Sequence, residues 1–259
     1  MDHKVALITG GATGIGKQTA IQLAEKGCNV VINYRNSALE AETLTGELNR
    51  RYNTKNIAVQ GDVANSSDCE RMVDEAMEVF QKIDILVHNA GPYIQERKPL
   101  TEYGMDEWNY LLQGNLTSAF YLAKLVIPSM RKQKWGRIIT MGFDRVETAP
   151  GWIYRSAFAA AKTGLASLTR TIAIEEAKNG ITANMVSPGD IKSEWKEKTI
   201  ADAVSYMKSA PERRREGTGE DIARTIAFLA DEKSDLITGC ILSATGGMDV
   251  LGKVFREND

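Results

Sequence analysis

Residues Thr9-Gly10-Gly11-Ala12-Thr13-Gly14-Ile15-Gly16 follow directly on the apolar run Val5-Ala6-Leu7-Ile8 and precede a helically spaced stretch, Lys17 to Glu25. Glycines at 10, 14 and 16 permit a tight turn, close backbone approach to a pyrophosphate and close helix packing, and the free N–H groups of the helix start favour an anion. A glycine-rich string alone is weak. Placed between a first strand and a first helix, it reads as a dinucleotide-binding turn with Gly10, Thr13, Gly14, Ile15 and Gly16 as contacts. The second strand ends in Asn33-Tyr34-Arg35-Asn36, about 20 residues further on, where an acid would bond the ribose 2′-hydroxyl of NAD. No acid occurs between Asn29 and Asn36, and Arg35 can instead pair with a 2′-phosphate. NADP(H) is therefore favoured and NAD(H) stays possible, an ordinary exposed arginine being the other reading.

Metal and disulfide chemistry find little to work with. Cys28, Cys69 and Cys240 are far apart with no CxxC pair, and only His3 and His88 accompany them, so idle thiols in a reducing compartment and no metal are expected.

These residues need a scaffold. Apolar, β-branched runs at Val5 to Ile8, Val30 to Ile32, Ile57 to Val59, Ile83 to Val87, Arg137 to Met141, Thr182 to Val186 and Ile241 to Ser243 alternate with helical spacing. The helical stretches are Gly16 to Lys26, Ala38 to Arg51, Ser67 to Lys82, Met105 to Lys132, Ser156 to Asn179 and Gly219 to Asp231. Such alternation predicts an α/β fold, a single Rossmann-type doubly wound parallel sheet with helices on both faces. Continuous apolar strands agree with burial on both sides. No linker divides the 259 residues, so one domain over 1–259 is expected, with a possible lid at 191–217 that carries its own helical pattern (Ile200, Val204, Met207) and ends in Arg213-Arg214-Arg215.

The charge balance, 32 Lys+Arg against 34 Asp+Glu, offers no basic field for nucleic acid. The start Met1-Asp2-His3-Lys4 runs straight into a strand without a signal-peptide core, and no apolar run approaches the roughly 18 residues of a membrane span. A soluble cytoplasmic protein is expected.

Taken together the motifs resemble the short-chain dehydrogenase/reductase family, closest in pattern to its 3-oxoacyl-acyl-carrier-protein reductases, over nearly the whole chain. Asp62-Val63 matches the pair that contacts adenine. Asn89-Ala90-Gly91, after His88 where the family usually has Asn, matches the strand-end motif, and Pro188-Gly189-Asp190-Ile191 with Ser193 matches the turn near the nicotinamide. Asn115 and Lys162 match two members of the catalytic tetrad, and Lys162 also counts as a ribose contact. The resemblance implies a carbonyl reductase in which a tyrosine gives the proton, a serine holds the substrate oxygen and a lysine four residues after the tyrosine tunes it. Here the tyrosine position is Phe158 and the serine position is Phe143. Neither ring can donate or accept a proton.

Three readings follow. The first is an NADP(H)-binding protein whose standard reduction is weak or absent. The second is an active reductase of a carbonyl or enoyl thioester using Tyr154, eight residues before Lys162 and, on a helix, broadly on the side of Phe158, as a displaced acid; the family's enoyl branch places its tyrosine seven before the lysine, where Arg155 stands. The third is a non-catalytic interaction module. A small-molecule or acyl-thioester substrate follows only if the protein is active. The resemblance also implies a homotetramer or homodimer.

Overall fold

The structure is a computed structural model that describes residues 1, 3–209, 215–248 and 250–251; of the arginine run at 213–215, Arg213 and Arg214 lie outside the described residues. Among these residues seven strands, β1 (Val5–Ile8), β2 (Asn29–Tyr34), β3 (Ile57–Gln60), β4 (Ile85–His88), β5 (Gly136–Met141), β6 (Ile181–Pro188) and β7 (Ile241–Ala244), form one sheet in the order β3-β2-β1-β4-β5-β6-β7. Every pairing is parallel. The order reverses between β1 and β4, so a crevice opens there beyond the carboxyl ends of the strands, where such sheets take their ligands.

Among the described residues eight α-helices accompany the strands: α1 (Gly14–Glu25), α2 (Ala38–Arg51), α3 (Ser66–Phe80), α4 (Met105–Leu112), α5 (Ser118–Gln133), α6 (Ser156–Glu176), α7 (Ile200–Ser209) and α8 (Gly219–Leu229). The period of two in each strand sorts side chains between two cores. Ala6 and Ile8 of β1 join Leu23 of α1, Leu44 of α2 and Ile226 of α8 on one face, while Val5 and Leu7 join Met72 of α3, Leu122 and Val126 of α5 and Ile172 of α6 on the other. A third cluster at the strand ends gathers Phe143, Val146, Leu165 and Met185.

Two expectations change. The single helix expected over Met105 to Lys132 is divided into α4 and α5 by a wide π turn at Gln113–Thr117, which carries Asn115. A π turn adds a residue to the helical ring, and such turns concentrate at functional positions. Tyr154 stands outside α6, which begins at Ser156, and has left-handed backbone with φ 62°. Helical spacing therefore does not align it with Phe158 and Lys162. The 191–217 segment does contain a helix, α7, at the expected place.

Candidate functional site

The turn after β1 is built as its glycines predict. Gly10 and Gly14 both have φ +60°, a left-handed conformation that costs glycine little. A Cβ on Gly16 would lie 2.2 Å from the Gly10 carbonyl oxygen, so only glycine lets α1 start this close to the turn. Buried Asn33 of β2 holds the turn from below: its Oδ1 accepts from Gly10 N at 3.1 Å and its Nδ2 donates to the Gly61 carbonyl at 3.0 Å. From the β4 side, Asn89 Nδ2 donates to the Thr9 carbonyl at 2.9 Å, and the Thr9 hydroxyl accepts from the N–H groups of Asn89 and Ala90 at 3.0 and 2.9 Å. Three strand ends are thus tied to one turn.

Beside the turn lies a cleft of about 360 Å³ whose lining includes Gly10, Thr13, Arg35, Asp62, Val63 and Tyr110. Ala90 and Gly91 border it as well. Arg35 Nη1 donates to the Tyr110 hydroxyl at 2.6 Å and to Asp62 Oδ2 at 3.4 Å. Glycine at 91 is required, since a Cβ there would fall 2.2 Å from Asn115 Oδ1 and 3.6 Å from Lys162 Nζ.

At the other end of the crevice the chemistry-bearing residues converge on Lys162. Its ammonium is buried, donates to the Met141 carbonyl at 2.9 Å and sits 5.6 Å from the Phe158 ring centre. Burial pushes its pKa down to about 8. Asn115 is fully buried, with Nδ2 donating to the carbonyls of Pro92 and Leu111 at 2.9 and 3.0 Å and Oδ1 left without a partner. Phe143 and Phe158 lie 6.4 Å apart between ring centres, and Trp152 packs on both at 5.0 and 5.9 Å. Phe143, Phe158 and Trp152 thus form a continuous aromatic surface beside Lys162.

Sequence reasoning did not foresee the rim of that surface. Tyr93 meets Phe158 edge-on at 5.1 Å, and its hydroxyl accepts from Arg155 Nε at 2.5 Å. The buried Arg155 guanidinium also donates to the carbonyls of Glu96, Gln95 and Tyr154, clamping the loop after β4 to the start of α6. Tyr154 offers its carbonyl to the Tyr103 hydroxyl at 3.0 Å.

The segment after β6 closes over the turn. Gly189 needs its small size, because a Cβ would lie 2.8 Å from Thr245 Cα, and the amide N–H of Ile191 donates to the Gly189 carbonyl. Pro188 ends β6, and Ser193 is exposed on a single 3₁₀ turn, Ser193–Trp195. A few residues on, the Glu197 carboxylate accepts from Gly14 N at 2.9 Å and from Lys17 Nζ at 2.8 Å, while its backbone carbonyl accepts from Gln18 Nε2 at 2.7 Å. An internal anion thus rests on the start of α1. Its position was unreadable in the charged run Lys196-Glu197-Lys198, which looks like any solvated loop.

The crevice passes a test for a dinucleotide on its own geometry: two left-handed glycines, a helix start already holding a carboxylate, cradle positions where a Cβ does not fit, and an unpartnered amide oxygen beside a buried lysine. Among the described residues no group of three or more His, Cys, Asp or Glu is arranged to hold a metal ion.

Known proteins match along almost the whole chain. A family model described as enoyl-(acyl carrier protein) reductase matches residues 10–249. Of curated relatives, "Putative oxidoreductase YtkK" of Bacillus subtilis is 51% identical over 96% of this chain and 97% of its own length, and the 3-oxoacyl-[acyl-carrier-protein] reductase FabG of Staphylococcus epidermidis is 36% identical over 95% and 99%. Among solved structures, "putative 3-oxoacyl-reductase" from Bacillus thuringiensis superposes with a TM-score of 0.89 at 51% identity, covering 96% of this chain and 99% of that one. A blue fluorescent protein from a metagenomic library, solved in complex with NADPH, gives 0.81 at 30% identity over 95% and 98%.

Proposed function

Since this chain belongs to the short-chain dehydrogenase/reductase family, we propose that it is an NADP(H)-binding member of 3-oxoacyl-acyl-carrier-protein reductase type in which ordinary carbonyl reduction is weak or absent. The observation that carries this reading is the packing of Phe143, Phe158 and Trp152 beside Lys162, where a proton donor and an oxygen clamp would have to stand. Gly10, Thr13, Gly14, Ile15 and Gly16 would hold the pyrophosphate, Arg35 the 2′-phosphate, Asp62 and Val63 the adenine, and Asn89, Ala90, Gly91, Lys162, Pro188, Gly189, Ile191 and Ser193 the nicotinamide half. The bound dinucleotide supplies hydride to a polarised double bond. What the chain supplies around it is a dry aromatic wall, a buried ammonium and the Asn115 amide. Without a positioned acid the rate falls by about 10² to 10⁴, before the missing clamp is counted.

The test is NADPH oxidation with a 3-oxoacyl thioester, on wild type and on Phe143→Ser with Phe158→Tyr. Wild type near background and a double variant at least 100-fold faster is the expected pair of results. Wild-type turnover of about 1 s⁻¹ or more, the ordinary enzyme range, overturns the reading.

One observation favours a second reading, an active carbonyl or enoyl thioester reductase with a displaced phenol. Because the Tyr93 oxygen accepts from Arg155, its own proton is free to be donated, and its ring touches Phe158. Tyr93→Phe and Tyr154→Phe, compared with an enoyl thioester as substrate, separate that phenol from the one expected on helical spacing. Assembly as a homodimer or homotetramer in the cytoplasm completes the proposal; exposed Phe120 on α5 and Ile174 on α6 support it, and scattering mass measurement tests it.

A further inference from the structure

Arg35 sits at the end of β2 with its side chain about half exposed, a setting in which a long cation ordinarily samples many rotamers. Two groups compete for it. Asp62, at 3.4 Å, offers an ion pair that would neutralise it against the wall of the cleft. Tyr110 of α4, at 2.6 Å from the same Nη1, offers a shorter bond to a neutral oxygen. Tyr110 is 38% exposed and lines the cleft, so its hydroxyl reaches Arg35 from the α4 side. The guanidinium is held more firmly charged, chiefly by Tyr110 and secondarily by Asp62.

We propose that Tyr110 is a positioning residue for nucleotide selection, whose hydroxyl fixes the Arg35 guanidinium at the adenosine cleft as a ready cation for a ribose 2′-phosphate. The proposal rests on the reading that the chain binds NADP(H). A neutral partner suits the task, because it orders the guanidinium without adding to the partial neutralisation that Asp62 supplies at 3.4 Å. Preordering one rotamer-rich side chain saves the cost of fixing it on binding. The benefit falls only on a ligand that carries the 2′-phosphate.

The experiment is calorimetric titration of wild type, Tyr110→Phe and Arg35→Ala with NADPH, NADH, adenosine 2′-phosphate and adenosine 5′-phosphate, with melting temperature as a folding control. Losing one hydrogen bond predicts that Tyr110→Phe weakens NADPH and adenosine 2′-phosphate about 2- to 10-fold. NADH and adenosine 5′-phosphate should stay within about two-fold, since neither carries the 2′-phosphate that Arg35 would meet. Arg35→Ala should abolish the NADPH preference and make a further Tyr110→Phe change silent. A wild type that prefers NADPH while Tyr110→Phe leaves the NADPH-to-NADH ratio unchanged, or weakens both equally, overturns this proposal alone. A wild type that prefers NADH or binds neither overturns the NADP(H) reading and the proposal together.

Discussion

Lys162 is the residue on which the site turns. Held with a pKa near 8 by burial, against 10.5 when exposed, it binds fewer protons in the folded chain than in the unfolded one between those values. Stability should therefore rise as pH is raised from about 8 to about 10, and Lys162→Met should flatten that part of the curve; urea midpoints at several pH values measure both. Phe143 and Phe158 were placed by fixed offsets from Gly136 and Lys162, and Asn115 by resemblance alone; the structure gathers Asn115 and Phe158 near Lys162. Tyr93 and Arg155 were not legible, because they are 62 positions apart and meet only when the loop after β4 folds against the start of α6. The helical alignment expected for Tyr154 does not hold for a different reason: Tyr154 itself has left-handed backbone, and α6 begins only at Ser156.

Among the elements, α1 and the segment after β6 are opposed through Glu197. A carboxylate bonded to Gly14 N, with Lys17 beside it, takes a helix-start donor that a pyrophosphate would need. Neutralising it should favour the ligand, so Glu197→Gln is expected to tighten NADPH binding several-fold and to steepen its fall with added salt, read by fluorescence titration. Unchanged or weaker binding would show that Glu197 does not compete. The turn itself tolerates less. Gly16→Ala forces a methyl against the Gly10 carbonyl and should cost about 1–3 kcal/mol of stability, together with loss of nucleotide affinity; a denaturant melt and a titration report the two separately. The glycine spacing announced this turn in the sequence. Nothing there announced Glu197, because the contact spans 183 positions and involves a common residue in a polar stretch.

For the whole molecule, one parallel sheet with helices on both faces was legible in strand runs apolar on both sides, whereas the strand order β3-β2-β1-β4-β5-β6-β7 was not, because which strands pair depends on contacts far apart in the chain. Ligand linkage offers the simplest global test. A nucleotide at 100 times its Kd stabilises the fold by about 2.7 kcal/mol, or roughly 5–10 °C for a chain of this size. NADPH should produce that shift and NADH a smaller one at equal concentration. No shift with either would remove the cofactor from the account.

The wide turn at Gln113–Thr117 has a consequence in phase. One additional residue in a helical ring delays everything after it by about 100° relative to a regular helix. The apolar positions of α4 and those of α5 therefore belong to two different stripes, with Leu111 in register on one and Leu122, Val126 and Met130 on the other. Deleting one residue from the turn would not simply shorten it. Closing the ring would rotate α5 against the sheet, carry those three side chains out of the core, and make the slip at Asn115 a condition of folding as well as of the site.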